Sequence, residues 1–171
     1  MGLAPTTSTT MMLALGDALA VAVLELKGFT ADDFRNFHPG GRLGDRLKRL
    51  SQVMLKESDM PLIRHTQSMS DALVEMTAKR LGCVGVVDDA GQLMGIITDG
   101  DIRRKMEPDL LQKNVSHVMT ANPMTLSPRI LAEEALQKLN ASNRTQAFVV
   151  DDAGKPVGII HIHELLRLGL G

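Results

Sequence analysis

Two stretches decide the reading of this chain: Val86-Val87-Asp88-Asp89-Ala90-Gly91 with Gly95-Ile96-Ile97, and Val149-Val150-Asp151-Asp152-Ala153-Gly154 with Gly158-Ile159-Ile160. Each pair keeps a spacing of 63 residues, and Ala72-Leu73 matches Ala135-Leu136 in the same register. Val53-Met54 matches Val118-Met119 at 65, so the first copy carries two extra residues near its start. A register held over several segments marks a duplicated folding unit.

Both copies carry the same local signals. Ala72, Leu73 and Met76 recur at helical spacing, predicting a helix over Ser70–Arg80, with Ser68 and Asp71 placed as a capping box. Cys83–Val87 and Leu93–Thr98 are β-branched, buried strands joined through Asp88-Asp89-Ala90-Gly91, hence a hairpin. A short amphipathic helix follows over Asp99–Met106, and Glu107-Pro108-Asp109 breaks it. The second copy repeats the plan with a helix over Ala132–Ser142, strands over Ala147–Val150 and Val157–His161, and a last helix over His163–Leu168. This is an α/β (α+β) chain with a remnant at 1–46, a first module at 47–107 and a second at 108–171.

Composition narrows the function. Lys plus Arg number 19 against 20 Asp plus Glu, with no long run of one sign, so there is no basic arm for nucleic acid and no basic patch for a membrane surface. Trp and Tyr are absent, which removes the stacking platforms that single-stranded nucleic acid needs. The single cysteine, Cys83, lies in an apolar run and has no partner in the chain, which fits a reducing cytoplasm. The apolar stretch Met11–Leu26 is interrupted by Gly16, Asp17 and Glu25 and falls short of the roughly 20 residues of a bilayer span, so no membrane anchor is expected. A helix over Thr10–Lys27 is nevertheless apolar nearly all round and wants burial on every side. After it, Thr30 and Asp33 cap a short second helix before Pro39-Gly40-Gly41. The expectation is the tail of a larger domain and at least a dimer.

Gly95-Ile96-Ile97-Thr98-Asp99-Gly100-Asp101 resembles the end of a CBS module, whose pattern is Gly, two apolar residues, Ser or Thr, two variable residues, then Asp. The resemblance implies a tandem CBS pair with pseudo-twofold symmetry, packed through its sheets, with clefts for adenosyl or other nucleotide ligands. The residue chemistry agrees: a hydroxyl before a helix can help hold a phosphate, and a carboxylate three residues on can accept from both hydroxyls of a ribose. Thr98 and Asp101 are those positions, although the same spacing also serves a plain N-cap with a first-turn acid. In the second copy His161 replaces Thr98 and Glu164 replaces Asp101, with His163 between them. The three side chains admit a metal reading, surface placement, or nucleotide and sugar-phosphate contact, of which the last is preferred and no metal is expected. Two unequal clefts follow, the second sensitive to pH through imidazole.

Gly2-Leu3-Ala4-Pro5-Thr6-Thr7-Ser8-Thr9-Thr10, Gly16-Asp17-Ala18-Leu19-Ala20 and His38-Pro39-Gly40-Gly41-Arg42-Leu43-Gly44 are similar to the end of the sugar isomerase domain in arabinose-5-phosphate isomerases. That family joins a sugar isomerase domain to a CBS pair and interconverts ribulose 5-phosphate and arabinose 5-phosphate on the route to the lipopolysaccharide sugar Kdo. The resemblance makes His38 the active-site histidine of the His-Pro-Gly-Gly motif, suited to proton transfer near neutral pH. It places the family's catalytic lysine, glutamates and sugar-phosphate loop ahead of Gly2, so these 171 residues are expected to bind a small nucleotide or nucleotide sugar for regulation, with no cofactor; an active sugar-phosphate isomerase and an assembly module without ligand are the alternatives.

Overall fold

The computed structural model describes residues 4–30, 33–34, 37 and 47–170. Its coordinates divide into two units, residues 1–44 and 45–171.

In the first unit, α1 spans Thr6–Leu26, four residues longer at its start than the apolar pattern predicts. In the added turn Thr9 and Thr10 Oγ1 donate to the Thr6 carbonyl at 3.0 and 2.9 Å. It ends in a Schellman motif: Gly28 N–H donates to the Glu25 carbonyl and Phe29 N–H to that of Leu24, with Gly28 in the left-handed region at φ 63°. At 21 residues the helix is long and apolar enough to cross a bilayer, which corrects the length argument drawn from Met11–Leu26. Asp17 and Glu25 remain within it, at odds with a hydrocarbon setting. Thr30 and Asp33 form the expected reciprocal cap, Asp33 Oδ2 accepting from Thr30 N and Oγ1 and Thr30 Oγ1 accepting from Asp33 N.

The second unit holds the duplicated modules. In the first, β1 (Leu62–Arg64) pairs parallel with β2 (Cys83–Val87), which pairs antiparallel with β3 (Leu93–Thr98), and β4 (Thr120–Ala121) closes that sheet. Helix α2 (Met69–Lys79) crosses from β1 to β2, and α3 (Asp99–Arg104) follows β3. A one-turn helix α4 (Val115–Val118) leads into the second module, where β5 (Thr125–Leu126), α5 (Ala132–Ala141), β6 (Gln146–Val150), β7 (Pro156–His161) and α6 (Ile162–Arg167) repeat the order with β5 parallel to β6 and β6 antiparallel to β7. The hairpins are the expected ones. Gly91 and Gly154 both sit at φ 78°, which only a residue without Cβ adopts freely in these turns.

The modules exchange their leading arms. Leu50 is fully buried in the second module's core with Leu136, Leu139, Val149 and Ile160, while Val115 and Val118 are buried in the first module's core with Met76, Val86 and Ile97. Each arm also adds backbone bonds to the other module's sheet: β4 pairs with Gly95 and Ile96, and Leu55 exchanges two 2.9 Å bonds with Ile159. Gly95 and Gly158 make this possible, since a Cβ there would lie within 3.0 Å of Met119 and Met54 and of the arm's own backbone. Between the sheets, Cys83, Phe148 and Ile159 form a third buried cluster, joined by Leu55, Leu62 and Ile96. The apolar burial that stabilises each module, about 1.5–3 kcal/mol per large side chain, thus comes partly from its neighbour.

Candidate functional site

The two strand-to-helix turns, Thr98–Asp101 and His161–Glu164, open on one cleft of about 710 Å³ lined by both modules. Both turns open on this shared volume, with unlike residues on its two walls. Both turns are set by the same backbone bond: Asp99 N–H donates to the Gly82 carbonyl at 3.0 Å and Ile162 N–H to the Thr145 carbonyl at 2.8 Å. Each strand end is thereby fixed against the loop that precedes the neighbouring strand, and the next side chains face the cleft.

On the first wall, Thr98 and Asp101 form a full capping box. Thr98 Oγ1 accepts from Asp101 N–H at 3.2 Å and donates to Asp101 Oδ2 at 2.6 Å, while Thr98 N–H donates to the same oxygen at 2.9 Å. Asp101 Oδ1 accepts from Arg104 at 2.5 Å and from Thr120 Oγ1 at 3.3 Å. Asp101 is 5% exposed and does not line the cleft, whereas Thr98 does. Burial works to raise the Asp101 carboxyl, but the Thr98 hydrogen bonds and the Arg104 guanidinium outweigh it and hold the group below its ordinary value.

The second wall is built differently. His161 Nδ1 accepts from His163 N–H at 3.2 Å, so an imidazole serves as N-cap of α6. The His161 and His163 rings stand 4.5 Å apart. Glu164 does not complete a capping box; its Oε1 accepts from Arg167 Nη1 at 2.7 Å. All three predicted residues of this wall line the cleft. Burial, then the neighbouring His163, pushes the His161 ring below its ordinary pKa, with Glu164 acting against them. Among the described residues no three His, Cys, Asp or Glu side chains gather as a metal site. His38 lies outside the described residues.

Sequence reasoning missed the cleft's cations. Arg80, Arg103, Arg144 and Arg167 line it against only Asp99 and Glu164, giving a positive cavity in a chain of near-zero net charge. The available signal was positional: Arg80 closes α2 at φ 58°, and Asn143, its counterpart beside Arg144, sits at φ 52°, so the turn beyond each module's first helix reaches the cleft.

A family model described as CBS domain matches residues 50–108 and 115–171. The arabinose 5-phosphate isomerase KdsD of Pseudomonas aeruginosa is 47% identical over 99% of this chain and 53% of its own length. The Escherichia coli K12 enzyme of the same name is 44% identical over 99% of this chain and 52% of its own. The chain spans about half the length of these relatives. Among solved structures, the CBS domain pair of protein MJ0100, in complex with 5′-methylthioadenosine and S-adenosyl-L-methionine, superposes with a TM-score of 0.62 at 25% identity, covering 71% of this chain and 95% of that one.

Proposed function

This chain belongs to the CBS-domain family, and from that premise we propose that it is the regulatory, nucleotide-binding pair of an arabinose 5-phosphate isomerase. The observation that carries the reading is the cleft into which both modules turn their strand ends, with four arginines around it. Such a cavity recognises an anionic, phosphorylated ligand, and its size fits a nucleotide or nucleotide sugar. The adenosyl ligands of the MJ0100 pair support the same class.

In this reading Thr98 Oγ1, whose proton is held by Asp101 from behind, accepts a hydrogen bond from the ligand at the first wall. His161, His163 and Glu164 meet the ligand from the second wall. Identity to the isomerases over almost the whole chain supports assigning residues 1–46 to the end of a sugar isomerase domain, with His38 as its histidine. The binding role is preferred because CBS modules span residues 50–108 and 115–171 and both line the cleft. A homo-oligomer completes the proposal, since α1 is apolar nearly all round in sequence and needs cover.

Calorimetry with AMP, S-adenosylmethionine and a cytidine-activated sugar tests the binding reading. At least one should bind, and Thr98→Val should weaken it about tenfold, as loss of one hydrogen bond of about 1.4 kcal/mol does. No binding of any of them at millimolar concentration overturns it. Ribulose 5-phosphate should not be turned over by the 171 residues, and light scattering should give a dimer or larger.

A further inference from the structure

Where the first module presents Thr98 and Gly100, the second presents two imidazoles, His161 and His163, tilted 55° to one another at a centroid distance of 4.5 Å. His161 is half-buried and His163 exposed. Because His161 Nδ1 accepts from the His163 backbone N–H, the neutral ring carries its proton on Nε2. Around the pair, Glu164 is taken up by Arg167, and Arg144 comes from the loop before β6. The first module contributes Arg80, Arg103 and Asp99 to the same cleft. Among the described residues neither imidazole hydrogen-bonds a carboxylate; Glu164 acts on His161 only through space and is itself paired with Arg167, so an arriving anion supplies the direct partner for an added proton.

We propose that this wall is a proton-coupled site for a phosphate-type dianion, in which His161 takes up a proton as the anion binds. The inference rests on the reading of the cleft as a site for a phosphorylated ligand and adds its regulation by pH. A protonated ring donates from both nitrogens, so the bond that Nδ1 accepts from His163 N–H is exchanged for a contact to the anion. Arg144 and Arg167 add fixed positive charge at the same wall. By linkage, uptake of one proton raises the affinity by up to about tenfold for each pH unit between the free and bound midpoints. Thr98 has no titrating group, so the first wall contributes nothing to this dependence.

The test uses the whole chain and inorganic sulfate, a dianion that does not itself titrate near neutral pH. The His161 ring resonance, assigned by its loss in His161→Asn, is followed by NMR from pH 5.5 to 8.5 in sulfate and in chloride at equal ionic strength. Asparagine keeps a side-chain acceptor for the His163 N–H, so this variant retains the cap. The expected result is a His161 midpoint at least half a unit higher in sulfate, equivalent to about threefold tighter binding of sulfate to the protonated form. An unchanged midpoint overturns the inference. Binding of AMP at pH 7.5 in a parallel titration keeps the two readings apart. AMP that binds while sulfate leaves His161 unmoved sinks the proton coupling alone; sulfate that moves His161 while AMP and the other nucleotides fail supports the coupling and sinks the nucleotide reading.

Discussion

At the position where the first module has Gly85, the second has Phe148, and the two meet: a Cβ on Gly85 would lie 2.7 Å from the Phe148 ring. The same asymmetry recurs where Thr98 stands against His161 and where Ser68, which caps α2, stands against Leu131, which gives α5 no side-chain cap. What the modules keep in common is backbone: the positive-φ turns at Gly91 and Gly154, and the close approaches at Gly95 and Gly158. What they vary is the side chains at matching positions. Two first modules would leave a hole at the glycines, and two second modules would collide at the phenylalanines. The duplication has become one unit of unlike halves, whose strand-to-helix turns bring different residues to the same cleft.

The largest expected effect lies at that contact. Phe148 is fully buried between the sheets, so Phe148→Ala should cost about 3–5 kcal/mol in urea unfolding. Gly85→Ala, which overpacks the same place, should cost about 1–3 kcal/mol. The exchange Gly85→Phe with Phe148→Gly sharpens the comparison: if the halves are related by a pseudo-twofold axis, it should recover at least half the loss of Phe148→Ala. A cost below about 1 kcal/mol for Phe148→Ala would mean that the modules stand independently.

Much of this pair was legible in the sequence because its long elements repeat in register. The two hairpins and α2, α3, α5 and α6 fall within a few residues of their predicted bounds. The arm exchange was not legible, since β1, β4 and β5 have only two or three residues each and no periodicity can emerge from so few. The one trace was the spacing of Val53-Met54 and Val118-Met119, 65 rather than 63, which sets apart the arms from the modules they precede. At the site, Thr98, His161, His163 and Glu164 could be picked out from one motif and its degenerate copy. The spacing of Thr98 and Asp101 suits a ribose contact and a capping box equally, and only coordinates show the carboxylate turned inward. The arginines come from four separate segments, so folding alone brings them together.

A middle-sized effect separates Asp101 from its counterpart Glu164. Asp101→Ala removes both acceptor bonds to Thr98 and should cost about 2 kcal/mol; Glu164→Ala removes only a surface pair with Arg167 and should cost about 0.5 kcal/mol or less. The sign with pH follows from the lowered Asp101 carboxyl. Its contribution is complete above the ordinary carboxylate value of about 3.9 and is lost as the pH falls through the lower folded value. Wild type and Asp101→Ala should therefore differ in stability at pH 7 and converge in strong acid, as urea unfolding at pH 7, 4 and 2.5 would register. Equal costs for the two substitutions would erase the difference between the walls.

The smallest effect belongs to the other wall and has its own pH window. With no ligand bound, burial and His163 hold the His161 ring below its ordinary pKa. Unfolding returns it to about 6.5, so around that pH the unfolded chain binds more protons than the folded one. Stability contributed by neutral His161 is therefore present above about pH 6.5 and is lost as the pH falls toward the folded midpoint. His161→Asn keeps an acceptor for the cap but cannot titrate, so its Tm should fall less than that of wild type between pH 7.5 and 5.5. Thr98→Val in the first wall should leave that difference untouched. Parallel Tm curves for wild type and His161→Asn would mean that burial does not disfavour the charged ring, and a wild-type curve falling less steeply than the variant's would mean that Glu164 outweighs both burial and His163.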